Sequence, residues 1–132
     1  VSRVLINTNA YTALLAGDGR IADALAKSDA VLLSPVVVGE RLDGFLNGAR
    51  AAADRAALER FRAKPRTVGI PITADTAEWF ARIKRALRAK SRPLPANDVW
   101  IAASCLEHGA KLISFDAHFV AVDGLLRWEP EA

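Results

Sequence analysis

Four short apolar runs, each ahead of a stretch with helical spacing, constrain this chain more than any other feature. They are Arg3–Ile6 (RVLI), Ala30–Leu33 (AVLL), Thr67–Ile70 (TVGI) and Lys111–Ser114 (KLIS). Buried apolar strands alternating with helices predict an α/β domain whose central sheet is mainly parallel. Leu125–Trp128 is a candidate fifth strand, so four to five strands are expected. The helical stretches run from Asn7-Thr8-Asn9 to about Ala16, from Ile21 to Ser28, from Pro35 past Phe45, and from Ala51 to about Ala63. Thr73 is read as the N-cap of the next helix, whose apolar stripe is Trp79, Phe80, Ile83 and Leu87. Pro93 and Pro95 mark a loop, Asn97 or Asp98 opens a last helix, and Gly109 stops it. Neither an internal repeat nor a linker is visible, and residues 1–132 are expected to form a single domain.

Composition narrows the functional class. At 132 residues and 52% hydrophobic content the chain can bury a real core without disulfides or a structural metal. No apolar run approaches the ~18 residues of a membrane helix. The first strand pattern begins within three residues of Val1, so no signal peptide is expected. One cysteine, Cys105, cannot form an internal disulfide or build a zinc site, and it falls among apolar residues of a helical pattern. A cytoplasmic protein is the expectation.

The net charge is only +3, but 13 of the 18 basic residues are arginine, the side chain suited to bidentate phosphate contact. Two basic clusters stand out. Arg50, Arg55, Arg60, Arg62, Lys64 and Arg66 form one. Arg82, Lys84, Arg85, Arg88, Lys90 and Arg92 form the other, with no acid between them. Both read equally as solvated helix faces and as polyanion-binding surfaces; from the second cluster Arg82, Arg85, Arg88 and Arg92 are the polyanion-contact candidates.

In open α/β sheets ligands collect beyond the carboxyl ends of the strands. Four polar positions sit near such ends: Asn7, Glu40, Asp98 and Asp116. Each has a plain structural alternative. Asn7 and Asp116 can cap turns or helices, and Asp98 can complement a helix dipole. Glu40 points away from Val38, Leu42 and Phe45 on a helical wheel, which makes it a solvated side chain by periodicity. Patterning alone therefore yields a weak acidic cluster and no reaction.

The flanking residues carry more. VLINTNAYTALLAGD, SPVVVGERLDGF and PANDVWIAASCLEHGAKLISFDAHF, in that order, resemble PIN-domain ribonucleases, and in particular the VapC-type toxins of type II toxin–antitoxin (VapBC) systems. The resemblance spans essentially the whole chain. It implies a three-layer α/β/α domain and metal-dependent endonucleolytic cleavage of RNA. It places the family's acidic quartet on positions 7, 40, 98 and 116, with Asn9 and Ser114 in supporting roles. Mg²⁺, or Mn²⁺, is the implied cofactor, because clustered carboxylates repel by about 3 kcal/mol per pair at ~5 Å and an effective dielectric of ~20, and hard divalent cations take oxygen ligands. Asp98 and Asp116 are the expected direct or water-mediated ligands, with Glu40 binding through water or orienting it. A VapB-type antitoxin and a homodimer are the implied partners, with Tyr11, Leu14 and Leu15 as candidate antitoxin contacts, for which plain core packing is the structural alternative.

The chain departs from the family at its first acidic position, where Asn7 replaces aspartate. An amide oxygen can still coordinate a cation, but one negative charge is missing, and a chain that is inactive or weakened is expected. An engineered silencing change, a natural degenerate site and a tolerated change with residual activity all account for it; the intact remainder of the site favours the first. His118 stands where some relatives carry a further acid, and both histidines read as surface residues. Two other classes are weighed against a nuclease. One is a catalytically silent module that binds RNA or a protein. The other is a receiver-type domain, disfavoured because the first strand ends without paired acids. Neither G-x-G-x-x-G nor G-x-x-x-x-G-K-[ST] is present.

Overall fold

The computed structural model describes residues 2–46 and 48–130. Four strands, β1 (Arg3–Ile6), β2 (Ala30–Leu33), β3 (Thr67–Gly69) and β4 (Lys111–Ile113), form one sheet in the order β3-β2-β1-β4. Every pairing is parallel, with Val4 opposite Val31 and Lys111, and Leu32 opposite Val68. Six helices connect and cover them: α1 (Thr8–Leu15), α2 (Gly19–Ala26), α3 (Pro35–Leu46), α4 (Ala51–Arg62), α5 (Ala74–Ala89) and α6 (Ala96–His108). Right-handed crossovers put the helices of the β1-to-β3 half and the α5–α6 pair on opposite faces of the sheet. This is the expected three-layer α/β/α arrangement.

The apolar runs form strands because both sheet faces are covered. Leu5, Ile6, Leu112 and Ile113 are fully buried, and each such side chain contributes ~1.5–3 kcal/mol by leaving water. Tyr11, Ile21, Val37, Leu58 and Ile101 close the core from the helices, and Phe119 from the short 3-10 turn Ala117–Ala121. Ile70 still donates its N–H to Leu33 (3.1 Å), but in the alternating register set by the Val31 N–H bond to Arg66 O the next donor due on β2 is Pro35, which has no N–H, so β3 is one residue shorter than expected.

Several boundaries differ from the sequence reading for identifiable reasons. Helix α2 starts at Gly19 because the Asp18 carboxylate accepts the Arg20 N–H at 2.9 Å and caps it. Helix α6 opens at Ala96, its first turn closed onto the Pro95 carbonyl by the N–H groups of Asp98 and Val99. Residues 125–128 form no full fifth strand. One parallel bridge joins Arg127 to Leu112, through Leu112 N–H to Leu126 O and Trp128 N–H to Leu112 O, both 2.8 Å. It covers part of the β4 edge, which would otherwise be open.

The strand order decides where a site can form. From β1 the chain steps outward to β2 and β3, then returns to the other side of β1 as β4. The crevice between the carboxyl ends of β1 and β4 is thus the topological switch point.

Candidate active site

Asn7 stands at that switch point, directly after β1, and is only 4% exposed. Its backbone N–H donates to Ile113 O at 3.0 Å, which ties the ends of β1 and β4 together. Its Oδ1 accepts the Thr8 N–H at 2.9 Å and caps α1, while its Nδ2 donates to Ser114 Oγ at 3.1 Å. Ser114 Oγ also accepts the Asp116 N–H (3.1 Å) and donates toward Asn9 Oδ1 (3.4 Å), which in turn accepts the Phe115 N–H (3.3 Å). Asn7, Asn9 and Ser114 therefore form one clamp that fixes the backbone carrying Asp116.

Glu40 joins the same site, against the indication of its helical wheel. Thr8 Oγ1 donates to Glu40 Oε1 at 2.9 Å, and Asn97 Nδ2 donates to Oε2 at 3.1 Å. Three helices, α1, α3 and α6, meet on this carboxylate. A wheel records only the direction of a side chain about its own axis, and α3 packs on both α1 and α6, so Glu40 meets neighbouring helices and is half-buried, while Asp43 stays exposed. Neither Thr8 nor Asn97 was singled out as a support. The available signal was position: each adjoins a candidate site residue.

Asp98, in the first turn of α6, is nearly buried. Burial is the main cause that pushes its carboxyl above the usual range; the negative charges of Asp116 and Glu40 add to it, and His118 opposes it. His118 Nε2 lies 3.1 Å from Asp98 Oδ2, so His118 is a site residue and not merely a surface one. His108 stands apart, 3.5 Å from Glu107. The four predicted positions are thus brought together, from β1, α3, α6 and the segment after β4.

Their donor set is all oxygen apart from His118, which is the ligand chemistry of a hard divalent cation. Among the described residues no group of three or more His, Cys, Asp or Glu side chains is arranged to hold a metal by itself.

Other candidates sort differently. Arg82, Arg85 and Arg88 lie exposed on α5, with Arg92 just beyond it; Arg82 also covers the Trp79 ring, 5.3 Å from its centroid. In the other cluster Arg66 is committed to the fold, donating to Ser28 O (2.6 Å) and Ala26 O (3.1 Å). Tyr11 is core: fully buried, edge-on to Phe61 at 5.2 Å. It offers no docking surface, because α1 turns that face inward, whereas Leu15 is 44% exposed. Cys105 is buried and its thiol pushed far up by desolvation, so it is unreactive. Among the described residues no helix is long and apolar enough to cross a membrane.

Comparison with known proteins agrees with this geometry. The PIN domain profile matches residues 4–125. Ribonuclease VapC4 of Mycobacterium tuberculosis is 33% identical over 92 residues, covering 68% of this chain and 69% of that protein. A solved member of the VapBC family of toxin–antitoxin systems, VapBC-5 from Mycobacterium tuberculosis, superposes with a TM-score of 0.74 at 27% identity, covering 97% of this chain and 100% of that one. DNA-bound VapBC from Salmonella typhimurium reaches a TM-score of 0.87 at 16% identity, over 97% and 98% of the two chains, and speaks for the fold. With the profile, the relatives and the strand-end site in agreement, this chain belongs to the PIN-domain family, among its VapC-type ribonuclease toxins.

Proposed function

We propose that this chain is built for metal-dependent endonucleolytic cleavage of RNA as the toxin of a toxin–antitoxin pair, with Asn7 weakening or silencing it. The observation that carries this reading is the convergence of Asp98, Asp116, Glu40 and Asn7 at the β1/β4 switch point, where burial first, and the two further carboxylates in addition, raise the proton affinity of Asp98. Such a cluster is unfavourable until a cation shares it. Asp98 and Asp116 are assigned to hold Mg²⁺ or Mn²⁺, directly or through water. A bound divalent ion polarises a phosphodiester, lowers the pKa of its water and stabilises the leaving oxygen. Glu40, with both oxygens anchored by Thr8 and Asn97, is positioned to orient the attacking water. Ser114 and Asn9 hold the Asp116 backbone. Arg82, Arg85, Arg88 and Arg92 are assigned to the RNA backbone.

Asn7 keeps the shape of an aspartate but lacks its charge. Its amide N–H₂ also donates to Ser114, a bond that a carboxylate can replace only by accepting the Ser114 hydroxyl proton. The site therefore accommodates either residue, and the charge decides its metal affinity. By analogy with the VapBC-5 toxin–antitoxin structure, a VapB-type antitoxin is the assigned partner; the family resemblance adds a homodimer as the assigned state, and the single cysteine adds the cytoplasm as the place of action. A second reading, a silent module that binds RNA or the antitoxin, rests on Asn7 alone.

The test compares this chain with Asn7→Asp on total bacterial RNA, with Mg²⁺ or Mn²⁺ and with chelator. Discrete, metal-dependent fragments from the Asn7→Asp protein, and few or none from the parent, are expected. Equal cleavage by both would remove the role given to Asn7. No cleavage by either, with RNA retained in a binding assay, would favour the silent module.

A further inference from the structure

Trp100 lies three residues after Asn97 on α6, so the two share a face of the helix, and Asn97 is a donor that holds Glu40. Trp79, Phe80 and Trp128 are half-buried against the core. Trp100 is half-buried as well, but it lies on Phe80 of α5, the rings stacked 4.1 Å apart at 27°. No described residue accepts a hydrogen bond from its indole N–H, which is not a buried orphan. Lys84 holds its ammonium 5.5 Å from the Phe80 centroid. Arg88 follows one turn later on the same α5 stripe, and both cations are exposed. Between Trp79 and Asn97 the chain has no acidic residue. An aromatic pair thus links the strand-end site to a row of cations.

We infer that Trp100, braced by Phe80, is a stacking platform for one unpaired base of single-stranded RNA, with Lys84 and Arg88 on the neighbouring phosphates. Aromatic rings interleaved with cations along a track are the recognition chemistry of single strands: any base offers a π-face, and the phosphates meet the cations. A duplex keeps its base faces covered by their neighbours and cannot use the platform. Unbroken positive charge beside the aromatics argues for a polyanion over an apolar protein surface. The inference rests on the proposal that RNA is handled at the β1/β4 crevice, and it adds that the cut site lies near an unstacked base.

Binding of a short fluorescein-labelled RNA of mixed sequence, in chelator so that nothing is cut, tests the platform. Trp100→Leu is expected to weaken single-strand binding about tenfold, and Trp100→Phe by no more than about threefold. Trp100→Leu should leave the slope of log K against log salt unchanged, whereas Arg88→Ala lowers it by about 0.7. On the parent protein, a single abasic nucleotide walked along the RNA should cost about tenfold at one position; this readout needs no substitution and survives a variant that fails to fold. Trp100→Leu that melts like the parent and binds RNA as tightly overturns the inference, as does an abasic walk with no sensitive position. A change from dimer to monomer in light scattering, with RNA affinity per chain kept, would reassign Trp100 to a contact between copies. Failure of the parent to bind any RNA is a different result, because it removes the RNA reading itself and the platform with it.

Discussion

Strand β4 divides into two regions within a few residues. Leu112 and Ile113 are fully buried among apolar neighbours. Immediately beyond, Ser114 and Phe115 are held by hydrogen bonds to Asn7 and Asn9, and the Asp116 N–H by Ser114 Oγ. The first region contributes to stability through area removed from water. The second gathers like charge in a half-dry crevice, where Asp98 is pushed toward its protonated form. The lesson is that this sheet carries its stability in its middle and its chemistry at its carboxyl ends, and that the chemistry works against the fold until a cation is present.

The largest effect should come from the middle. Leu112→Ala is expected to cost about 2–5 kcal/mol in a denaturant melt, through lost transfer energy and a cavity, with the same cost in Mg²⁺ and in chelator. A cost that changes with metal would break the separation between the two regions. Next is Asn7→Asp. We expect about a hundredfold more cleavage, ~2.7 kcal/mol of barrier, together with a lower melting temperature in chelator, because a further carboxylate enters a crevice that already holds three. Mg²⁺ should reverse that loss, and calorimetry with and without the ion reads both.

Smaller effects sharpen the picture. In the Asn7→Asp background, Thr8→Val and Asn97→Ala each remove one bond to Glu40. Each should lower the cleavage rate about tenfold while changing stability by about 1 kcal/mol. Rates that hold steady would make Glu40 a bystander. The smallest change concerns Asp98 and pH. A carboxyl whose folded pKa lies above its unfolded value binds protons more tightly when folded. Its penalty is full above the folded pKa and vanishes as pH falls through the window down to the unfolded value near 3.8. Asp98→Asn should therefore raise the metal-free melting temperature at neutral pH, and the gain should disappear as the solution is acidified. The same substitution should abolish the melting shift produced by Mg²⁺. A neutral-pH loss of stability instead would mean that the His118 contact outweighs desolvation.

Much of the fold was legible because local signals agreed. The four apolar runs, the N-cap at Thr73, where the backbone N–H meets Thr76 Oγ1 at 3.0 Å, and the left-handed Gly109 at φ 62° all follow from nearest neighbours in the chain. The candidate site was legible in part. Asn7, Asp98 and Asp116 follow strands or open a helix, so the rule about strand ends finds them. Glu40 was recovered only through family resemblance, since its own helix argued for solvent. The roles of Thr8, Asn97 and His118 depend on which helix lies beside which, and that information is absent from any single window. Tyr11 shows the converse: the sequence left it open between antitoxin contact and core, and Phe61 from α4 seals it into the core.

The sequence by itself determined the alternation of strand and helix, hence a parallel sheet, and with the family's segments in order it determined the kind of protein. Those features arise from periodicity and from contacts close along the chain. Only the tertiary structure decided the strand order β3-β2-β1-β4, and with it the crevice between β1 and β4. It also brought Glu40 and His118 into that crevice and laid Trp100 on Phe80. Each of these is a meeting of residues far apart in the chain, set by how covered sheet faces and crossing helices fill space together, and no local preference of a residue encodes it.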